Sequence, residues 1–381
     1  MYRLEVKNIS KNFGKTTAVK NLSFNCEEGE TITLLGPTGA GKTTTLRCLA
    51  GLEELTSGNI YLDGKDISNI PPNHRELAMF FENYALYPHM TVRENIAYPL
   101  RAPSRRKEFN EEKINKRIEE IAGLLQISEL LDRKPSELSG GQKQRTALGR
   151  TLVRKPKVFL LDEPIAHLDA VLRHRMRGEM KSIFQKLGCT VIYVTHDYRE
   201  ALSIGDRILV IKKGELVQLG NAEDIWGKMN NVFVAKLAGD PPINIFKGIL
   251  HTGEGNFKIE LRKQKADIVF ESKKENLKKW EEKEIILGVR PNNMTISTIK
   301  KPNSINGTLS AIEAMSSSYE ITVSISEGKM IKVKSKINFK DLLNKQIWVN
   351  IDSERIHLFN YQDGESIYHG RTPVSYTHLR A

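Results

Sequence analysis

Short apolar runs alternate with helix-period stripes along the first 240 residues. Thr31-Ile32-Thr33-Leu34-Leu35 reads as a buried strand that feeds a glycine-rich turn and then a helix through Leu46 and Leu49. Val158-Phe159-Leu160-Leu161, Val191 to Val194 and Ile208 to Ile211 are three further strands of the same kind. Ile114, Ile118, Ile121 and Leu125 recur at helical spacing among charged residues, and Leu172, Met176, Met180, Phe184 and Leu187 repeat the pattern. Each stripe predicts one buried helix face. Leu4 and Val6 alternate with polar neighbours, as an edge strand would. Apolar strands separated by helices predict α/β architecture, with helices covering a sheet.

The pattern changes near Gly239-Asp240-Pro241-Pro242, where two prolines follow a helical segment. Beyond it come strand-like pieces at 285–289, 321–325, 330–333 and 347–351. Ile321, Val323 and Ile325 fall on one side of their piece, and Ile331 and Val333 alternate with Lys332 and Lys334. The mixed-charge stretch from Lys273 to Glu284 reads as an exposed turn or short helix. The expected organisation is an α/β domain over 1–240, a β-rich domain over 241–370, and a tail, 371–381, to which no function is assigned.

Composition narrows the class. The 381 residues allow about two or three domains. Apolar residues make up 39% of the chain, enough for real cores, yet no run approaches the roughly 18 residues of a membrane span. The opening, Met1 to Val6, is too charged for a signal-peptide core. Lys plus Arg number 58 against 46 Asp plus Glu, a net +12 that permits nucleic acid, an anionic membrane or an anionic ligand and selects none of them. Cys26, Cys48 and Cys189 are too widely spaced for a disulfide framework or a zinc site, which fits a reducing cytoplasm.

The chemistry concentrates in the first half. Gly36-Pro37-Thr38-Gly39-Ala40-Gly41-Lys42-Thr43-Thr44 matches G-x-x-x-x-G-K-[ST] and follows a strand. Its glycines let backbone N–H groups curl around a phosphate, and the next helix adds its positive end. Lys42 would reach the β- and γ-phosphates, and Thr43 would coordinate Mg2+. The strand Val158 to Leu161 carries Asp162 at its carboxyl end, placed to orient the same ion, and Glu163 next to it is a candidate to activate water. Ser139-Gly140-Gly141-Gln142, before a helix, offers a second anion site, as for a nucleotide held between two protomers. His196 follows a strand after only Thr195; taken alone such a histidine is more often a local cap, but the neighbouring motifs reverse that reading and place it where it would sense a γ-phosphate. Phe13 is readable as a base-stacking residue or as an ordinary aromatic.

In this order the motifs resemble the ATP-binding subunits of ABC transporters, most of all the maltose/multiple-sugar importer ATPases of bacteria and archaea. The resemblance implies an α/β P-loop ABC ATPase domain followed by a β-rich, OB-like accessory domain. It implies ATP and Mg2+ as ligands and hydrolysis that energises a membrane permease for solute import, with carbohydrate as the cargo. Import of a polyamine, metal complex or phosphorylated solute is the alternative, and a non-transport regulatory ABC ATPase is less favoured. Leu138 to Gln142 corresponds to the family's signature, Leu168-Asp169-Ala170 to its aspartate turn, His196 to its switch histidine and Phe13 to its adenine-stacking aromatic. Asn83 to Met90 corresponds to the permease-facing loop. The implied partners are a second ATPase subunit in a homodimer, two permease subunits docking near Tyr84–Met90 and, indirectly, an extracytoplasmic solute-binding protein, with no nucleic acid. The implied location is peripheral, at the cytoplasmic face of the cell membrane.

Pro242 to Phe246, Gly288-Val289-Arg290-Pro291 and His357-Leu358-Phe359 resemble accessory-domain segments. Three positions depart from the pattern. Glu82 stands where the family has a glutamine that contacts Mg2+ and the attacking water; a glutamate there can still ligate the metal but adds a negative charge. Ala166-His167 replaces Ser-Asn before Leu168-Asp169, and Arg371 to Ala381 does not resemble a family ending.

Overall fold

The computed structural model describes residues 2–81, 85–102, 110–166, 168–253, 256–272 and 275–371. The chain divides into two compact units between Ala222 and Glu223.

In the first unit the strands are β1 (Leu4–Phe13), β2 (Thr16–Cys26), β3 (Thr31–Leu35), β4 (Ser57–Leu62), β5 (Lys65–Asp66), β6 (Leu77–Phe80), β7 (Val158–Asp162), β8 (Thr190–Thr195), β9 (Arg207–Lys212) and β10 (Glu215–Gly220). The helices are α1 (Lys42–Ala50), α2 (Val92–Ala97), α3 (Glu111–Leu124), α4 (Gly140–Leu152), α5 (Ala170–Leu187) and α6 (Tyr198–Ile204). The central sheet runs β10-β9-β3-β8-β7-β6, parallel throughout except for β10. Its strands β3, β7 and β8 are buried at every residue, which is why they read as continuous apolar runs rather than alternating ones.

Each face of this sheet has its own core. Ile96, Ile118, Ile121, Leu148, Met176, Met180 and Phe184 from α2 to α5 pack against Phe159, Leu161 and Tyr193 on one face. The other face, through Leu34, Leu160 and Val194, packs with Leu46 and Leu49 of α1 and with a four-stranded antiparallel sheet, β2-β1-β4-β5. Strand β1 is therefore an inner strand, paired on both sides with β2 and β4, and the edge-strand expectation is corrected. Its alternation has another cause: in an antiparallel sheet with one face on the core, Leu4 and Val6 point inward and their neighbours outward.

Register fixes what emerges at the sheet's carboxyl edge. Leu35 pairs with Thr195, and Asp162 pairs with Val194. The loop that begins at Gly36, the Asp162–Glu163 pair and His196 thus leave neighbouring strands at one level.

The second unit begins with helices α7 (Ala222–Gly227) and α8 (Val232–Leu237), ahead of the Gly239–Pro242 segment that marks the change in composition. Arg290 holds this segment to its own unit, donating to the carbonyls of Ala238 at 2.6 Å and Trp226 at 2.7 Å. Val232 N–H donates to Gly364 O, and Ser366 N–H to Asn230 O. The strands are β11 (Asn244–Thr252), β12 (Asn256–Leu261), β13 (Ala266–Glu271), β14 (Glu284–Val289), β15 (Met294–Ser297), β16 (Ser304–Ala314), β17 (Tyr319–Ser324), β18 (Met330–Ser335), β19 (Gln346–Ile351), β20 (Ile356–Asn360) and β21 (Ser366–His369). They form two antiparallel sheets, β13-β12-β11-β14-β20-β21 and β15-β19-β16-β17-β18, around one shared core. Ile321, Val323, Ile325, Ile331 and Val333 all point into it, as their alternation predicts. This is a curled, half-barrel, β-rich domain.

Candidate functional site

The loop from Gly36 to Gly41 is held from both sides. Ala40 N–H donates to Pro37 O, and Gly214 N–H to Ala40 O at 2.9 Å. Gly41 caps α1 with φ 101° and ψ 6°, and a Cβ there would lie 2.2 Å from Ala18 O. Only glycine accepts both that dihedral and that approach. Pro37, Thr38 and Gly39 are exposed at the loop's crest, and Thr44 is half-buried behind Thr43.

Lys42 is 5% exposed and donates to Gly36 O at 2.9 Å and Pro37 O at 3.1 Å. Burial lowers the pKa of its ammonium, while the carboxylates of Glu163 and Asp162 act in the opposite sense. Thr43 Oγ1 donates to Asp162 Oδ1 at 3.1 Å. A hydroxyl and a buried carboxylate side by side form a hard-oxygen donor pair of the kind that suits Mg2+. The strand and the helix that supply them arrive at that spot through unrelated parts of the sequence.

Glu163 has a positive φ of 44°, an uncommon conformation for a non-glycine residue, and its N–H donates to Val194 O. Its Oε2 shares a 2.7 Å hydrogen bond with His196 Nδ1, and its Oε1 lies 3.8 Å from Lys42 Nζ. Lys42, Thr43, Asp162, Glu163 and His196 therefore form one cluster. Phe13 lies beyond, at the end of β1, 47% exposed with Lys11 Nζ 4.8 Å from its ring centroid.

Ser139, Gly140, Gly141, Gln142 and Asp169 form a second cluster. Ser139 caps α4: its Oγ accepts from Gln142 N–H, and its own N–H donates to Gln142 Oε1 at 2.9 Å. A Cβ on Gly141 would lie 2.7 Å from Leu172 Cδ2, so the start of α4 packs on the first turn of α5. Asp169 caps that turn, accepting from Val171 and Leu172 N–H. Among the described residues no hydrogen bond joins these five to the Gly36–Thr44 loop.

Two supports were not legible in the sequence. Glu200, 2% exposed, accepts from Thr195 Oγ1 at 2.7 Å and Tyr193 Oη at 3.1 Å, and Thr195 Oγ1 in turn accepts from Asp197 N–H. This network fixes the turn that carries His196. Burial raises the Glu200 pKa. Arg173 donates to the carbonyls of Ala166 and Leu168, fixing the chain between Glu163 and Asp169. Both residues lie on amphipathic helices, where a polar side chain gives no periodic signal of a buried partner.

Asn95 on α2 is fully buried and holds the described part of the Asn83–Met90 stretch: its side chain bonds Tyr87 N–H and the carbonyls of Tyr87, Met90 and Thr91. Arg150 lies 5.2 Å from the Tyr87 ring centroid and donates to Ala85 O. Glu82, Asn83, Tyr84, His167 and 372–381 lie outside the described residues.

Residues 19–166 match the ABC transporter family. The trehalose/maltose import ATP-binding protein MalK of Thermococcus litoralis is 39% identical over 97% of this chain and 100% of its own length. The sn-glycerol-3-phosphate import ATP-binding protein UgpC of Pectobacterium atrosepticum is 36% identical over 95% of this chain and 98% of its own. Among solved structures, an ATP-binding cassette in a dimeric post-hydrolysis state with ADP and Pi matches at TM-score 0.52 and 30% identity, over 57% of this chain and 98% of that one. With its P-loop fold and full-length relatives, the chain belongs to the ATP-binding subunits of ABC transporters.

Proposed function

We propose that the chain is the Mg2+-dependent ATPase that energises a membrane importer, with carbohydrate as the cargo. The observation that carries this reading is the convergence of Thr43, Asp162, Glu163 and His196 on the phosphate loop. Full-length similarity to a trehalose/maltose import subunit supports the cargo class. A second reading, a phosphorylated solute as cargo, has its support in the glycerol-3-phosphate relative.

In the proposed mechanism the amides of Gly36 to Thr44 cradle the triphosphate of ATP. Lys42 exchanges the Gly36 and Pro37 carbonyls for phosphate oxygens, and Phe13 stacks on adenine. Thr43 and Asp162, with Glu82, would hold Mg2+, which when bound supplies charge neutralisation to the β- and γ-phosphates. Glu163 takes the proton of the attacking water, and His196, already bonded to it, steadies the γ-phosphate. Ser139 to Gln142 and Asp169 form a separate cluster, so each would complete the nucleotide site of a second copy, and ATP would close a homodimer. Hydrolysis would reopen it. The Tyr84–Met90 region would pass that motion to two permease subunits at the cytoplasmic face of the membrane, with a solute-binding protein beyond. No helix among the described residues is long and apolar enough to cross a membrane itself.

The test is Glu163→Gln expressed in the native host and recovered from membranes in ATP, with co-purifying proteins identified by mass spectrometry. Two multispanning permeases are expected. Recovery of soluble proteins or nucleic acid alone, with ATP binding intact, would overturn the importer reading. The binding protein encoded with those permeases, titrated with maltose and with glycerol phosphate, separates the two cargo classes.

A further inference from the structure

A cavity of about 400 Å3 lies in the first unit, away from the phosphate loop. Its wall includes Lys155 to Lys157, which lead into β7, and Gly188 to Thr190, which lead into β8. It therefore lies at the amino ends of strands whose carboxyl ends carry Asp162 and Thr195. The size falls in the range of small-molecule sites.

The wall is strongly basic. Arg3, Arg117, Lys155, Lys157 and Lys186 line it against two carboxylates, Glu28 and Glu120. Arg3 pairs with Glu28 and Asp63. Lys157 is held by Asp63 at 3.0 Å and Glu76 at 2.8 Å. Lys155 and Lys186 make no ion pair among the described residues. Leu152, Pro156 and Leu187 add an apolar side to the cavity.

Arg117 is the distinctive group. It is 7% exposed, and its contacts with the carbonyls of Leu152 and Val153 are long, at 3.4 and 3.5 Å. Its Nη1 pairs at 2.7 Å with Glu120, whose side chain is 58% exposed. A buried guanidinium needs a strong acceptor, but Arg117 Nη1 has no hydrogen-bond acceptor among the described residues, only an ion pair to a carboxylate mostly in water. Glu120 can turn out into solvent when another anion takes its place on Arg117. A phosphate offers guanidinium the same two-oxygen geometry with more charge, and two unpaired ammonium groups stand on the same wall.

We propose that this cavity binds a phosphate-bearing small solute, its phosphate held by Arg117, Lys155 and Lys186 after Glu120 turns outward, and its organic part against Leu152, Pro156 and Leu187. The site is separate from the P-loop, so both are occupied together.

The experiment is calorimetric titration of the full chain with glucose 6-phosphate, in saturating Mg-ADP so that the P-loop is filled. Inorganic phosphate and glucose are titrated in parallel. Saturable binding of glucose 6-phosphate is expected, with none for glucose. Weaker affinity for inorganic phosphate is expected, because it has no organic part to contact the apolar wall; equal affinity that Lys155→Ala with Lys186→Ala leaves unmoved would mark phosphate binding beside ADP and count against the proposal. Lys155→Ala with Lys186→Ala should lower affinity at least tenfold with ADP binding unchanged. Glu120→Gln, which removes the internal competitor, should raise it, a gain that misfolding cannot produce. Absence of saturable binding by either phosphate compound, or affinity unmoved in both variants, overturns the proposal.

Discussion

Gly41→Ala tests whether the phosphate loop is shaped by its contact with β2. Two effects add at this residue. Alanine in a left-handed conformation costs roughly 1–2 kcal/mol, and Gly41 has φ 101°. Its new Cβ would also lie 2.2 Å from Ala18 O, where real Cβ atoms essentially never come within 3.0 Å, so loop and strand must part by about 0.8 Å. That movement strains the Gly214 N–H to Ala40 O bond and the two bonds that Thr45 makes to Gly41 O. Losing one of them adds about 1 kcal/mol, for a total of about 2–3 kcal/mol. Gly14→Ala is the control: its φ is 55° and nothing lies within 4 Å of the added Cβ, so only the conformational cost of about 1 kcal/mol applies. The difference of about 1–2 kcal/mol corresponds to about 2–8 °C in the melting of a unit this size. Displaced amides should also cost Gly41→Ala about 3 kcal/mol in ATP binding, or about 100-fold in affinity, if two charge-assisted bonds are weakened. Thermal melts and a fluorescent-ATP titration measure both. If Gly41→Ala melts with Gly14→Ala and binds ATP normally, the contact does not shape the loop.

Ser139→Ala removes a cap whose bond to Gln142 N–H is long, 3.4 Å, so it should cost at most about 1 kcal/mol of stability. Turnover should fall much further, with ATP affinity of the dilute monomer unchanged; parallel losses in binding and turnover would contradict a role across the dimer. In the second unit, His357 is 4% exposed and shares a 3.0 Å hydrogen bond with His369. Burial first, then Arg290 and His369, hold its pKa well below 6.5. Its contribution is therefore complete above about pH 6.5 and lost as pH falls below it, because the unfolded chain takes up a proton that the folded chain refuses. The slope is at most about 1.4 kcal/mol per pH unit. Urea denaturation between pH 7.5 and 5.5 should show that slope reduced in His357→Leu; equal slopes would refute the assignment.

Much of the fold was visible in the sequence because burial is periodic. The runs at Thr31–Leu35, Val158–Leu161, Val191–Val194 and Ile208–Ile211 are strands, and the stripe from Ile114 to Leu125 is buried throughout. Strand order was not visible. Nothing local says that β3 lies between β8 and β9, since parallel partners far apart in sequence are chosen by packing on both faces. The start of the second unit was likewise hidden. Ala222 to Ala238 reads as more helical chain, and its attachment depends on Arg290, far along the sequence. The phosphate loop was legible because its glycines and lysine are contiguous. The Thr43–Asp162 and Glu163–His196 contacts are expected of the motifs once the strands align, but Glu200 and Arg173, which hold the surrounding turns, carry no motif at all.

The most direct test is phosphate release by the purified chain and by Glu163→Gln, with Mg-ATP affinity measured on the same samples. Removing a general base lowers turnover by about 100-fold or more. The expected result is ATP affinity retained, turnover lost to that degree, and a dimer that accumulates in ATP. Normal steady-state turnover in Glu163→Gln would contradict the assignment of Glu163 as the base and, with it, the hydrolytic mechanism built on this site.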